Sequence, residues 1–172
     1  MPCVADLTAL SLLPLSWRRD IAEALRSGAD PHDLLERFVA ERPQLELDAS
    51  SLRTHAATLL TRAERRGLTP IALGDPRYPA MLSEIFDPPP VLWLRGQVRA
   101  LDAVAVAIVG SRAGSPYALA VAERLAADLA ARGIVIVSGL ARGVDSAAHR
   151  GALSANGSTI GVLGSGADII YP

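Results

Sequence analysis

The rhythm of the second half constrains the fold more than any other feature. An unbroken apolar run covers Val104 to Val109, a helical stretch Pro116 to Arg132, a second apolar run Ile134 to Val137, a second helical stretch Asp145 to Ala155, and a third apolar run Ser158 to Leu163. Apolar runs this short, without in-out alternation, mark parallel strands buried on both faces, and such strands need helical crossovers between them. The spacing predicts an α/β fold, a βαβαβ half with a parallel sheet. Ser115 before Pro116 supplies an N-cap and a preset first turn, and Gly133 and Gly157 stand where left-handed C-caps are wanted.

The first part reads as a small all-α domain over residues 1–67. Leu7, Leu10 and Leu13 form a helical stripe that breaks at Pro14, and a second helix is expected over Ser16 to Ser27. Asp30 stands at an N-cap with Pro31 at the first helical position, ahead of Leu34, Leu35 and Phe38. Asp48 or Ser50 caps a fourth helix carrying Leu52, Ala56, Leu59, Leu60 and Ala63, which Gly67 ends. Residues 68–172 then open with two expected strands, Leu68 to Leu73 and Val91 to Leu94. A short helix, Tyr78 to Ile85, and the stiff corner Asp87-Pro88-Pro89-Pro90 lie between them.

Half of the 172 residues are hydrophobic and the formal net charge is -1, which excludes a disordered tail and a uniformly basic nucleic-acid binder. A local cluster of cations remains compatible with that balance. All 17 basic residues are Arg, which coding bias explains, although guanidinium is also the better bidentate partner of phosphate. The single Cys3 and the scattered His32, His55 and His149 give no disulfide and no metal-ligand spacing, and fit a reducing compartment. No apolar run reaches the length of a membrane span and no secretory leader is legible, so a soluble cytoplasmic protein without metal is expected.

In a sheet of this kind ligands bind beyond the carboxyl ends of the strands. Those ends read Gly110-Ser111-Arg112-Ala113-Gly114-Ser115, Ser138-Gly139-Leu140-Ala141-Arg142-Gly143-Val144-Asp145, and Gly164-Ser165-Gly166-Ala167-Asp168. Glycine lets backbone N–H groups approach an anion, helix N-termini favour negative charge, and two guanidinium groups stand on the same edge. The candidate phosphate-binding set is Gly110, Ser111, Arg112, Ser138, Gly139, Arg142, Gly143, Gly164, Ser165 and Gly166. Glycines at such turns also serve tight turning alone, and a single loop Arg is often merely solvated. Two arginines beside three Gly-Ser or Ser-Gly pairs favour a site.

What is missing narrows the ligand. No G-x-G-x-x-G follows the first strand, no acid closes the second, and no P-loop is present, which argues against a dinucleotide or a P-loop triphosphate site. A nucleic-acid backbone or a mononucleotide remains. Ser111 and Ser138 have no visible base, and no catalytic residue is assigned. Asp145 reads as the cap of its helix and His149 as its i, i+4 partner, a pair that orders a helix start more often than it moves protons.

Several words stand in order along residues 68–172. They are Asp75-Pro76-Arg77-Tyr78-Pro79 with Leu82, Pro89-Pro90-Val91-Leu92-Trp93-Leu94-Arg95-Gly96, Val106-Ala107-Ile108-Val109-Gly110-Ser111-Arg112, Ser115-Pro116-Tyr117, Ser138 to Asp145 with His149 and Ala152-Leu153, and Gly164-Ser165-Gly166 with Tyr171-Pro172. Together they resemble the DNA-processing protein A (DprA, or Smf) family. The resemblance implies an extended Rossmann-like domain after a helical domain similar to a sterile-alpha-motif or helix-hairpin-helix fold. It implies a non-enzymatic protein of natural transformation that uses no cofactor, protects incoming single-stranded DNA, loads the RecA recombinase and forms a homodimer at full length.

Two departures stand out. Pro14-Leu15-Ser16-Trp17 replaces a Pro-Gly-x-Gly hairpin whose amides would approach phosphate, and Ala118 replaces a Gly. The family's domain continues past Tyr171-Pro172, so the sequence reads as stopping within it, with the homodimer expected of the longer protein. Two rival readings are a nucleotide-sensing Rossmann-like module and an enzyme similar to nucleoside-monophosphate phosphoribohydrolases, whose Pro-Gly-Gly-x-Gly-Thr loop is absent here.

Overall fold

The computed structural model describes residues 3–167 and 169; Asp168 and the Tyr171-Pro172 pair lie outside the described residues. The chain divides into two compact units, Met1–Gly96 and Gln97–Pro172.

The first unit is built on four helices, α1 (Val4–Ser11), α2 (Arg18–Arg26), α3 (Pro31–Ala40) and α4 (Ala49–Arg65). Their starts follow the sequence signals. The Asp30 carboxylate accepts from the N–H groups of His32 at 2.9 Å and Asp33 at 3.3 Å, and that of Asp48 from Ser51 at 2.7 Å. The second helix begins later than expected, because Leu15–Trp17 forms a separate 3-10 turn. Trp17 lies 5.9 Å from the Phe38 ring, centroid to centroid, and the Arg42 guanidinium stands 4.4 Å over it. The segment that departs from the family's glycine hairpin is thus held by packing.

Leu7, Leu10, Ile21, Leu34, Leu35 and Phe38 form the centre of this core. Arg53 ties its helices at the surface, donating to Asp6 at 3.1 Å and to Glu36 at 2.6 Å.

Strands β1 (Thr69–Ala72) and β2 (Val91–Leu94) form an antiparallel pair with Ala72 opposite Val91. Ala72 and Val91 are buried in the same core as Leu7 and Leu10. A two-stranded ribbon has no core of its own, so the compact unit runs on to Gly96 past the sequence-based division at 67/68. The intervening helix α5 is only Ala80–Ser83, shorter than the expected Tyr78 to Ile85, since Pro79 is extended at ψ 122°. The buried Tyr78 hydroxyl instead donates to the Pro89 carbonyl at 2.9 Å, anchoring the proline corner.

The second unit has the expected Rossmann-like order: β3 (Ala105–Ala107), α6 (Pro116–Ala130), β4 (Val135–Ser138), α7 (Val144–Ser154) and β5 (Thr159–Gly161). The three strands are parallel in the order β3-β4-β5, with Val106 opposite Ile136 and Val137 opposite Ile160. Ser115 caps α6, accepting from Ala118 N–H at 3.2 Å. The helices α6 and α7 meet through small side chains, Ala122, Ala126 and Ala130 against Ala147, Ala148 and Ala152. At Gly151 the approach is so close that a Cβ would strike the Glu123 carbonyl.

Two local expectations are corrected. Gly133 is left-handed at φ +80° as foreseen, but after α7 that conformation falls on Asn156 at φ +54°. Gly157 is needed for a different reason, since a Cβ there would lie 2.5 Å from the Ala130 Cβ. Burial on both faces is expected of all three strands and holds best for the central one. Ile136 is fully buried, whereas β3 is exposed along its length with Val104 and Val109 beside it, because β3 and β5 are the outer strands.

Candidate nucleic-acid interface

Parallel strands place their carboxyl ends along one edge of the sheet, so the turns after β3, β4 and β5 start side by side. Ser138, at the end of the central strand, is only 2% exposed. Its hydroxyl donates to the Ile108 carbonyl at 2.6 Å and its own carbonyl accepts from Val162 N–H at 2.8 Å. Ser138 therefore stitches the three strand ends together, and the expectation that its hydroxyl donates to a phosphate is corrected. Its proton is committed inside the sheet.

The first two turns interlock. Gly143 precedes α7 at φ +84° and ψ −130°, a conformation essentially confined to glycine. A Cβ at Gly143 would collide with the Ser111 carbonyl oxygen and lie 2.8 Å from that of Arg112. Val144 N–H donates to the Ser111 carbonyl at 3.2 Å. Within the second turn Leu140 is left-handed at φ +58°, rare for a branched side chain, and its methyl groups cover the place a Cβ on Gly161 would take. This ordered backbone carries Arg142 close behind Leu140 and presses Gly143 against the residue that carries the other guanidinium.

Asp145 is the residue whose hydrogen bonding the sequence reading missed. It is 6% exposed and does not cap its own helix, which starts from Gly143 without any side-chain cap. Instead Oδ1 accepts from Gly110 N–H at 3.3 Å and Oδ2 from Gly139 N–H at 3.1 Å, bridging the first turn to the second. The expectation that the Gly110 and Gly139 amides receive phosphate is corrected accordingly. Gly143 takes the cap position and Asp145 lies two residues further on, in the first turn of α7, from where its carboxylate reaches back across the turns.

His149 is not hydrogen-bonded to Asp145. Its Nδ1 lies 2.7 Å from Thr159 Oγ1, and that hydroxyl donates to the Ile136 carbonyl at 2.7 Å. With the hydroxyl proton so used, Nδ1–H must be the donor and Nε2 carries the bare lone pair. That Nε2 is buried with no hydrogen-bond partner among the described residues. Burial pushes the His149 pKa below its ordinary value, against the attraction of the Asp145 carboxylate.

Arg112 and Arg142 are exposed, and neither is in an ion pair among the described residues. The Ser111 hydroxyl accepts from Ala113 N–H at 3.1 Å and keeps its own proton to donate. Gly164, Ser165 and Gly166 of the third turn are exposed, with open space around Gly164. Among the described residues no hydrogen bond ties Gly164, Ser165 or Gly166 to the other two turns. The structure thus joins Ser111, Arg112, Arg142 and Gly143 on two abutting turns, and leaves the third turn beside them. No three His, Cys, Asp or Glu side chains among the described residues are grouped to hold a metal ion, and no helix among them is long and apolar enough to cross a membrane.

The family model described as DNA recombination-mediator protein A matches residues 69–172. The chain is 31% identical to the DNA processing protein DprA of Bacillus subtilis over 170 residues, 98% of this chain and 57% of that protein. It is 36% identical to the protein Smf of Synechocystis over 166 residues, 94% of this chain and 39% of that one. Among solved structures, the X-ray structure of DprA from Streptococcus pneumoniae superposes with a TM-score of 0.60 at 35% identity, covering 93% of this chain and 50% of that one. DNA processing protein A from Helicobacter pylori, solved for its single-stranded DNA binding mode, gives 0.54 at 36% identity over 61% of this chain and 46% of that one. The chain therefore spans about half the length of the relatives it matches.

Proposed function

Because the chain belongs to the DNA recombination-mediator protein A family, we propose that its second unit carries a binding rim for single-stranded DNA, on which Arg112 and Arg142 neutralise neighbouring phosphates. The observation that carries this reading is the pair of exposed guanidinium groups, without ion-pair partners among the described residues, on two turns locked together by Gly143 and Val144. Charges held by a rigid backbone suit a polyanion, and guanidinium is suited to phosphate. The Ser111 hydroxyl adds a donor, and Gly164, Ser165 and Gly166 continue the edge on the far side. Few aromatic side chains, 4% of the chain, favour tracking of the backbone over base stacking. The binding mode of the Helicobacter pylori relative supports the same ligand.

For the whole protein we propose the family's role in transformation, a non-enzymatic handling of incoming single-stranded DNA in the cytoplasm with hand-over to RecA, performed by a homodimer. The family match starts at residue 69, near the expected division at 67/68, while the compact unit that holds the helical core runs on to Gly96.

Fluorescence anisotropy with a labelled oligothymidylate at several salt concentrations tests the rim. For a single strand, log affinity falls with log salt by about 0.7 per neutralised phosphate. Arg112→Ala and Arg142→Ala should each weaken binding and flatten that slope by about this amount. Unchanged affinity and slope in both variants would remove the rim from consideration.

A further inference from the structure

In dinucleotide-binding Rossmann folds, the amides of the first glycine turn, together with a helix N-terminus, receive the ligand's phosphates. Here two glycine amides at the corresponding edge, Gly110 N–H and Gly139 N–H, already point at an anion, and that anion belongs to the protein. The Asp145 carboxylate spans them at 3.3 Å and 3.1 Å while remaining 6% exposed. It lies so close to the second turn that a Cβ on Gly139 would stand 2.9 Å from Oδ2. Gly110 is hemmed in similarly, since a Cβ there would stand 2.8 Å from Val144 Cγ1. No space is left between these amides and their carboxylate.

We propose that Asp145 is a built-in phosphate surrogate and the specificity-determining residue of this edge. Its carboxylate fills the glycine-turn anion site from within, turning away free nucleotides and dinucleotides and leaving Arg112 and Arg142 to a ligand that stays outside the turns. A mononucleotide or diphosphate needs the inner amides, because it offers only one or two phosphate groups and a single foothold. A strand with phosphates at regular intervals engages the outer guanidinium groups without entering. The carboxylate does a second thing: each oxygen holds a different turn, so the same residue fixes the spacing of the two segments that carry the arginines. The proposal rests on the single-strand reading only for the identity of the outer ligand; the exclusion of nucleotides follows from the inner hydrogen bonds.

The test is anion rescue. Asp145→Ala removes the carboxylate and leaves the part-buried N–H groups of Gly110 and Gly139 without their acceptor, which a small external anion can then replace. Inorganic phosphate and ADP are titrated against the wild-type chain and the variant, following thermal stability and binding heat. The expected result is stabilisation of the variant by phosphate and ADP at concentrations that leave the wild type unmoved, with at least tenfold tighter ADP binding. A merely structural role gives loss of stability without this gain.

Should the variant fail to fold, the wild-type chain still decides. Its Gly110 and Gly139 amide resonances should stay in place on addition of ADP, and their displacement would overturn the proposal, as would a folded variant with no gained affinity. Oligothymidylate binding by the wild type is measured alongside. Its absence, together with rescue of the variant, would defeat the single-strand reading and leave the Asp145 assignment standing.

Discussion

His149 shows how one buried side chain can set a pH limit on the second unit. Its neutral form is favoured by burial, Nδ1–H is committed to Thr159, and Nε2 sits among atoms that offer it no proton. The unfolded chain holds this imidazole at an ordinary pKa of about 6.5, so below that pH the unfolded state binds more protons than the native state. The contribution is complete above that pH and is lost as pH falls through it toward the lower native value. Thermal melts should therefore show a midpoint that declines as pH falls below about 6.5, and less so in His149→Leu. Equal pH slopes for the two proteins would assign the decline to other groups.

The elements were legible where local chemistry decides them and obscure where packing does. Asp30-Pro31, Asp48 and Ser115-Pro116 mark helix starts because each offers an oxygen to exposed amides, an interaction local to three or four residues. The parallel order of β3, β4 and β5 was readable because apolar runs alternated with helices of crossover length. The role of Asp145 was not, since its partners lie 35 and 6 residues away and are backbone amides with no sequence identity to read. Neither was the left-handed Asn156 beside Gly157, where the close approach of the chain to Ala130 of α6 claims the glycine. The contact between α6 and α7 gives the prediction for this scale. Gly151→Ala drives a methyl group into the Glu123 carbonyl and must part the helices, which should cost about 1–3 kcal/mol by chemical denaturation. A loss within experimental error would show that α7 can shift freely.

At the scale of the molecule, the chain is two compact units that meet in sequence between Gly96 and Gln97. Arg95 and Arg99 on either side of that junction are exposed. Mild trypsin treatment should cut there first and leave two fragments of comparable size, each resistant to further digestion. Early cleavage at Arg37 or Arg124, inside helices, would instead mean that the units do not hold separately. The outer strands of the second unit bear on how such a molecule behaves in company. β3 and β5 are three residues each, and among the described residues no strand pairs with the outer side of β3. A foreign strand arriving there would find rungs for only a bond or two, too few to offset the freedom it surrenders. Brevity thus guards the flank against uninvited ladder-building, a task other sheets give to lysine or proline.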